Sequence, residues 1–204
     1  MSSSPIIFAG DPHGRLAGIV RCCQRLPRAG LLILVGDQEL SAPLDGCLRP
    51  LYAVGWECKW ILGNHDCENH EQYDNLVGSL ARYPDSYIGR RVVDVSGLRI
   101  AGLSGIFKGR VWYPKDGNEV SCYATRKEYM RQVRHFEWWR PNYSGSDVLE
   151  LRGMPLGMRD AIFPEDVERL LQERLDVIVS HEAPRTLTMR GKGFAGLNDL
   201  VVKT

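Results

Sequence analysis

Four short apolar segments of the sequence each end in polar residues that can bind a metal ion or transfer a proton. These residues are Asp11 and His13 after the first segment, Asp37 after the second, Asn64, His65 and Asp66 after the third, and His181 after the fourth. Oxygen and imidazole donors without a thiolate suit manganese, iron, zinc or magnesium better than copper. Two such cations bridged by a carboxylate can hold a phosphoryl oxygen and activate water. The residue types therefore predict a divalent-metal site.

Each motif also has a plainer interpretation when it is taken alone. Asp11 could cap the helix that follows it, Gly63-Asn64 could form a turn, and His181 could be structural. Helix capping does not account for His13, and four strand ends that all offer ligands are difficult to explain as coincidence. His65 follows Asn64 directly and is not needed as a ligand, so it is a candidate proton donor to a leaving oxygen.

The segments that must hold these residues alternate between strand and helix patterns. Continuous apolar runs at 5–9, 31–35 and 58–62 predict buried parallel strands, with helical spacing at 15–26 and at about 44–54 between them. Successive βαβ units place the carboxyl ends of parallel strands at one edge of a sheet, where ligands bind. Further predicted elements are a helix at 68–80, strands at 91–95 and 98–101, a helix from 162 to about 174, a strand at 176–180 and a helix at 194–202.

The segment from about 110 to 160 has a different composition, rich in aromatic and basic residues. We interpret it as an insertion over the edge of the sheet, within a single domain spanning residues 1–204. Its arginines could contact phosphate, and the packing of an extra helix is the plainer explanation for most of its side chains. His70 and His135 have no neighbouring ligand and are predicted to be structural.

Bulk composition excludes several classes of protein. The formal net charge of +1 gives no overall field for nucleic acid or an anionic membrane. No apolar run is long enough to cross a bilayer, and the amino terminus lacks the pattern of a secretory signal. Six scattered cysteines without a Cys-x-x-Cys pair favour a reducing compartment, and thus the cytoplasm. The sequence gives no indication of oligomeric state.

The ordered series Asp11-x-His13, Gly36-Asp37, Gly63-Asn64-His65-Asp66 and His181-x-x-Pro184 resembles the calcineurin-like metallophosphoesterase superfamily. The resemblance covers essentially the whole chain. It implies a four-layer α/β/β/α sandwich that hydrolyses a phosphoester substrate with two divalent metal ions (manganese, iron, zinc or magnesium). It further implies that Asp11 and His13 hold the first metal, Asp37 bridges, Asn64 and His181 hold the second, and His65 is the catalytic histidine.

The sequence departs from the family pattern at two points. Leu40 stands where some members have an aspartate that orients the catalytic histidine, with Glu39 and Asp66 as possible substitutes. The carboxyl-terminal Gly-His-x-His element is absent, so we expect the last strand of the second sheet to be missing and metal affinity to be reduced. The favoured interpretation is a hydrolase, and the alternative is a non-catalytic binding module that retains the fold. Phosphoprotein, nucleotide, pyrophosphate and phosphodiester substrates all stay open, and nucleic acid is expected only as a substrate.

Overall fold

The first sheet contains three parallel strands in the order β1-β2-β3, with bounds Ile6–Ala9, Leu31–Val35 and Glu57–Ile61. The computed structural model describes residues 4–115, 118–133, 148–185 and 193–203. Helices α1 (Leu16–Gln24) and α2 (Leu44–Tyr52) connect these strands and bury apolar residues against them. The parallel register runs from Ile6 opposite Leu31 to Val35 opposite Ile61, so all three strands end at the same edge.

The second sheet has the order β4-β5-β8 and mixes strand directions, with bounds Arg91–Val95, Leu98–Leu103 and Val177–Ser180. Strands β4 and β5 form an antiparallel hairpin through Ser96-Gly97, whose φ angles of 54° and 88° are those a tight two-residue turn requires. Strand β8 pairs parallel with β5, which brings the end of β8 and His181 towards the edge where β5 ends.

The two sheets face each other across an apolar layer that is at most 5% exposed. It is formed by Leu31, Ile33, Ile61, Ile88, Ile100 and Val179. The side chains of strand β2 alternate between two apolar regions. Leu31 and Ile33 face this layer, whereas Leu32 and Leu34 point into the larger core shared with the helices. Both faces of this strand are therefore buried, as its continuous apolar sequence predicts, and the sandwich of two sheets and flanking helices is confirmed.

The remaining helices are α3 (His70–Val77), α4 (Arg126–Val133), α5 (Pro164–Leu171) and α6 (Ala195–Lys203), with a β6–β7 hairpin at Trp112–Lys115 and Asn118–Ser121. Single 3₁₀ turns occupy His65–Cys67, Gly78–Ala81, Leu149–Leu151 and Leu156–Met158. The helix predicted at 68–80 is thus divided into two elements, α3 and the 3₁₀ turn Gly78–Ala81. It begins two residues later than predicted, because the side chain of Asn69 accepts a hydrogen bond from Gln72 N and caps α3 at His70. Within the described residues, no helix combines the length and apolarity needed to cross a bilayer.

The region predicted as an insertion packs onto α5 through polar contacts. Trp112 Nε1 donates to the carbonyl of Ile162 at 2.8 Å, and Arg126 donates to both oxygens of Asp166 at 2.5 Å. His135 lies outside the described residues, while His70 begins α3. The assignment of one domain with an insertion stays a prediction.

Candidate metal centre

The loops after β1 and β2 have a strained backbone. Asp11, His13, Asp37 and Glu39 all have positive φ angles, between 42° and 55°. This left-handed conformation costs about 1–2 kcal/mol for a residue with a Cβ, and aspartate and histidine tolerate it better than most. Strain of this kind persists where the surrounding structure fixes it, and it concentrates at functional sites.

Backbone hydrogen bonds join these two loops to each other. Asp11 N donates to Gly36 O at 3.3 Å, and His13 N donates to Asp37 O at 3.0 Å. Because each loop supplies the partners of the other, the Asp11, His13 and Asp37 side chains are held in one place. Their candidate ligand atoms lie within 4.8 Å of one another, the spacing of groups that could share a cation.

Asp66 connects the third loop to this assembly. Its carboxylate, 1% exposed, accepts hydrogen bonds from the backbone nitrogens of Asp37, Gln38, Glu39 and Gly63, at 2.7 to 3.2 Å. Burial raises the pKa of Asp66 to about 6, against the opposing effect of these hydrogen bonds. A carboxylate has about four acceptor positions, so Asp66 is saturated by backbone and is not the substitute partner of His65 that the sequence offered.

Two glycines permit the close approach of the loops. A Cβ on Gly63 would lie 2.2 Å from Asp37 Oδ1, and one on Gly36 would lie 2.5 Å from His181 Nδ1. Gly36 also has a φ of 89°, which favours glycine on its own. The glycines that precede Asp37 and Asn64 in the sequence motifs therefore make room for the very side chains those motifs supply.

His181 and Asn64 complete the cluster around Asp37. His181 Nε2 lies 3.1 Å from Asn64 Oδ1 and 3.4 Å from Asp37 Oδ2. The Asp37 side chain is 5% exposed and that of His181 is 11% exposed. The structure thus brings Asp37, Asn64 and His181 together on one side and Asp37, Asp11 and His13 on the other, with Asp37 common to both groups.

His13 and His181 each have an oxygen atom within hydrogen-bond distance of Nδ1, the kind of contact that orients a metal-binding histidine. His13 Nδ1 lies 2.6 Å from Glu39 Oε1, and His181 Nδ1 lies 3.0 Å from the carbonyl oxygen of Val35. Ligating histidines almost always donate their second ring nitrogen in this way, which fixes the tautomer and directs the other nitrogen at the cation. The hydrogen bond to Glu39 also raises the pKa of His13. The donor set therefore fits two divalent cations of the oxygen- and imidazole-binding kind.

His65 lies beside the cluster and has three carboxylate neighbours. Its Nε2 is 3.9 Å from Asp37 Oδ2, whereas its Nδ1 is 2.7 Å from Glu68 Oε1 and 3.5 Å from Glu39 Oε1. Its backbone nitrogen donates to Asp37 Oδ1 at 2.9 Å. Glu68 was not anticipated from the sequence; its position three residues after His65, on the 3₁₀ turn His65–Cys67, is the signal that could have found it.

Comparison with known proteins gives the family directly. The family of calcineurin-like phosphoesterases matches residues 4–186. This chain belongs to the calcineurin-like phosphoesterase family. The resemblance inferred from the order of the motifs is therefore confirmed, and at the family level it indicates a hydrolase that acts on phosphoester bonds with two divalent metal ions.

Two relatives of this phosphoesterase family match the chain. An uncharacterized protein of Haemophilus influenzae is 33% identical over 198 residues, which cover 97% of this chain and 77% of that protein. The lariat debranching enzyme of Drosophila melanogaster is 33% identical over 129 residues, covering 51% of this chain but 24% of the enzyme. The chain thus spans about a quarter of the length of the debranching enzyme, and the similarity supports the superfamily alone.

Proposed function

We propose that this chain hydrolyses phosphoesters at the cluster centred on Asp37, with two divalent cations as cofactors. The observation that carries the proposal is the shared position of this one carboxylate. It belongs to the group with Asp11 and His13, and its Oδ2 is also 3.4 Å from His181 Nε2. A carboxylate common to two ligand groups is the arrangement that a bridged pair of metal ions uses.

In this proposal Asp11 and His13 hold the first cation, Asn64 and His181 hold the second, and Asp37 bridges them. When bound, the two cations supply Lewis acidity towards a phosphoryl oxygen and lower the pKa of water. Glu39 and the Val35 carbonyl keep the His13 and His181 rings oriented. Manganese is our proposed metal, since carboxylate, amide and imidazole donors suit it and no thiolate contributes.

His65 is the proposed general acid. Its ring is 38% exposed and its Nε2 lies 3.9 Å from Asp37 Oδ2, a position from which we propose that it reaches a leaving oxygen. Glu68 holds Nδ1 at 2.7 Å, so Nε2 is the nitrogen directed at the substrate. A protonated Nε2 would donate to the departing alkoxide, a transfer that contributes about 10²–10⁴-fold to a rate.

Metal binding and turnover can be measured separately. Manganese should raise the melting temperature by about 5–10 °C at one hundred times its dissociation constant, and elemental analysis should find metal retained. An aryl phosphate monoester, a phosphodiester and pyrophosphate are the substrates to assay. Asp37→Asn should lose both metal and activity. Retained metal without hydrolysis of any of the three substrates would favour a non-catalytic binding module, and absence of metal would remove the proposal.

We further propose a cytoplasmic location. All six cysteines are unpaired thiols in the described residues, and Cys22 and Cys122 are exposed. Exposed thiols persist best in a reducing compartment. Fractionation of the source cells checks this, and recovery of the protein outside the cytoplasm would contradict it.

A further inference from the structure

A polar cavity lies beside the β4–β5 hairpin and α5, away from the metal centre. It measures about 300 Å³ and is lined mainly by Arg90, Arg91, Arg99, Arg169, Leu170 and Glu173. Strands β4 and β5 form one wall and α5 forms the other. None of these residues belongs to the metal centre, so the mechanism proposed above makes no use of four clustered arginines.

Arg90 forms the buried part of this cavity. Its side chain is 6% exposed, and its Nε lies 3.3 Å from Asp166 Oδ1 without forming a hydrogen bond to any described residue. Asp166 instead accepts hydrogen bonds from Arg126 through both carboxylate oxygens, and its Oδ2 also accepts one from Phe163 N. Burial opposes the charge of Arg90, but Tyr87, Asp166 and two glutamates outweigh it and raise the pKa, so the guanidinium stays charged. Arg90 also has a φ of 63°, and such backbone strain concentrates at binding sites.

Arg99 lies on β5 and is held in a fixed position. Its Nε donates to the carbonyl of Arg174 and its Nη2 donates to Glu173, both at 2.8 Å. A guanidinium already ordered in this way loses little conformational entropy when an anion binds. The cavity therefore has one buried and one fixed arginine before any ligand arrives.

Arg91 and Arg169 are exposed at the rim, and neither forms an ion pair within the described ranges. Four arginines and one carboxylate, that of Glu173, line the cavity, so positive charge is in excess among the lining residues. The Asp166 carboxylate behind Arg90 is shared with Arg126. Val92 and Leu170 supply apolar surface, and apolar surroundings strengthen the attraction of an anion to these guanidinium groups.

We propose that this cavity binds a phosphate-type oxyanion, either free phosphate or the phosphate group of a small molecule. The planar guanidinium fork matches a tetrahedral oxyanion with two parallel hydrogen bonds, which a lysine cluster would not do. A volume of about 300 Å³ equals that of roughly ten water molecules. It therefore accommodates a phosphate together with part of the group that carries it.

The test is calorimetric titration of the full chain with inorganic phosphate and, separately, with a nucleoside monophosphate. The double charge reversal Arg91→Glu/Arg169→Glu changes only exposed side chains and should weaken binding at this cavity by about tenfold or more. Arg49→Glu, an exposed arginine on α2, is the matched control and should bind as the unmodified chain does. Melting curves establish that each variant is folded.

Asp37→Asn separates this cavity from the metal centre, because phosphate binding in this variant should persist and should still be lost on adding the double reversal. Equal affinity for the two ligands would assign the cavity to free phosphate, and tighter binding of the monophosphate would assign it to a phosphate carried on a larger molecule. Either result supports the proposal. Equal binding by the unmodified chain and the double reversal, or complete loss in Asp37→Asn alone, would overturn it and leave the hydrolase proposal standing.

Discussion

His65 is the residue for which we propose the most specific role. It sits between the Asp37 carboxylate and Glu68, and its ring is more exposed than that of His181. A metal ligand would be expected to have its free nitrogen directed into the group of donors, whereas His65 Nε2 is 3.9 Å from the nearest Asp37 oxygen. The arrangement favours proton transfer over ligation.

Replacement of His65 by alanine should therefore lower turnover of an aryl phosphate by about 10²–10⁴-fold, with metal content nearly unchanged. Rate assays and elemental analysis of the same preparation measure both quantities. His70→Ala, at the exposed start of α3, is the matched control and should keep full activity. Loss of metal from the His65 variant would mean that His65 is a ligand.

Glu68 acts on His65 as a positioning residue in this scheme. Glu68→Gln keeps the length of the side chain but removes the charge that stabilises a protonated ring, so kcat should fall by about tenfold or more while KM changes little. Steady-state kinetics measure the split between the two constants. Glu71→Gln, an exposed glutamate on the next turn, should leave both unchanged. An unaltered kcat in Glu68→Gln would assign the orientation of His65 to Glu39 alone.

At the residue scale, the sequence indicates which side chains follow a strand, but it does not predict contacts between residues of different loops. We predicted Asp11, His13, Asp37, Asn64 and His181 as ligands because each follows an apolar run within a few residues, and the structure brings these side chains close together. Glu39 was considered from the sequence as a partner of His65, and its Oε1 lies 3.5 Å from His65 Nδ1. Its 2.6 Å contact to His13 Nδ1, with a φ of 46° at Glu39, was not predicted. The sequence also does not show that backbone nitrogens occupy the acceptor positions of the Asp66 carboxylate, because those nitrogens come together only in the folded chain.

At the scale of the elements, the Gly63–Asn64 loop limits the space that is available to the Asp37 side chain. In Gly63→Ala the new methyl group would meet Asp37 Oδ1 at 2.2 Å, so the carboxylate must move. We expect loss of bound metal and destabilisation by about 1–3 kcal/mol, measured by elemental analysis and denaturant unfolding.

Gly46→Ala provides the control for this substitution. A Cβ on Gly46 meets nothing within 4 Å, and the residue lies inside α2. Alanine is preferred over glycine in a helix, so this variant should be more stable by about 0.5–1 kcal/mol and keep its metal. Normal metal content in Gly63→Ala would show that the loop adjusts without moving Asp37.

The bounds of an element were predicted accurately where its own sequence determines them, and less accurately where they depend on pairing with a distant segment. The continuous apolar run of β2 was located at its true bounds, since Leu31–Val35 needs both faces buried. The strand β5 was ended too early, because Gly102 and Leu103 are held by pairing with β8 across more than seventy residues. That pairing leaves no periodicity in either segment, so only the resemblance to a known family indicated the second sheet.

For the molecule as a whole, a net charge of +1 conceals an uneven distribution of charge. The arginine-lined cavity places positive charge beside the second sheet, while the buried Asp37, Asp66 and Asp160 lie elsewhere. Composition can exclude a general field that would attract polyanions, but it cannot detect a local group formed by residues that are far apart in sequence. Arg91 and Arg169 line the same cavity because α5 packs against the strands of the second sheet.

Asp160 extends this argument to the stability of the entire fold. It is fully buried with Lys108 Nζ at 2.7 Å, and burial raises its pKa to about 6, against the opposing effect of Lys108. The folded chain therefore takes up a proton at a pH where the unfolded chain, with a pKa of 3.8 at this residue, remains ionised. The destabilisation caused by the buried, ionised Asp160 carboxylate is fully present above pH 6. It declines as the pH falls towards 4, so the free energy of unfolding rises over this range.

Asp160→Asn removes this titration while Asp66, which also titrates near pH 6, stays in both proteins and cancels. The free energy of unfolding of the unmodified chain should therefore gain about 1 kcal/mol relative to the variant between pH 7 and pH 5. Urea unfolding at the two pH values measures the difference. Parallel pH profiles would mean that Lys108 keeps Asp160 ionised throughout, and the ion pair rather than the burial would then dominate at this position.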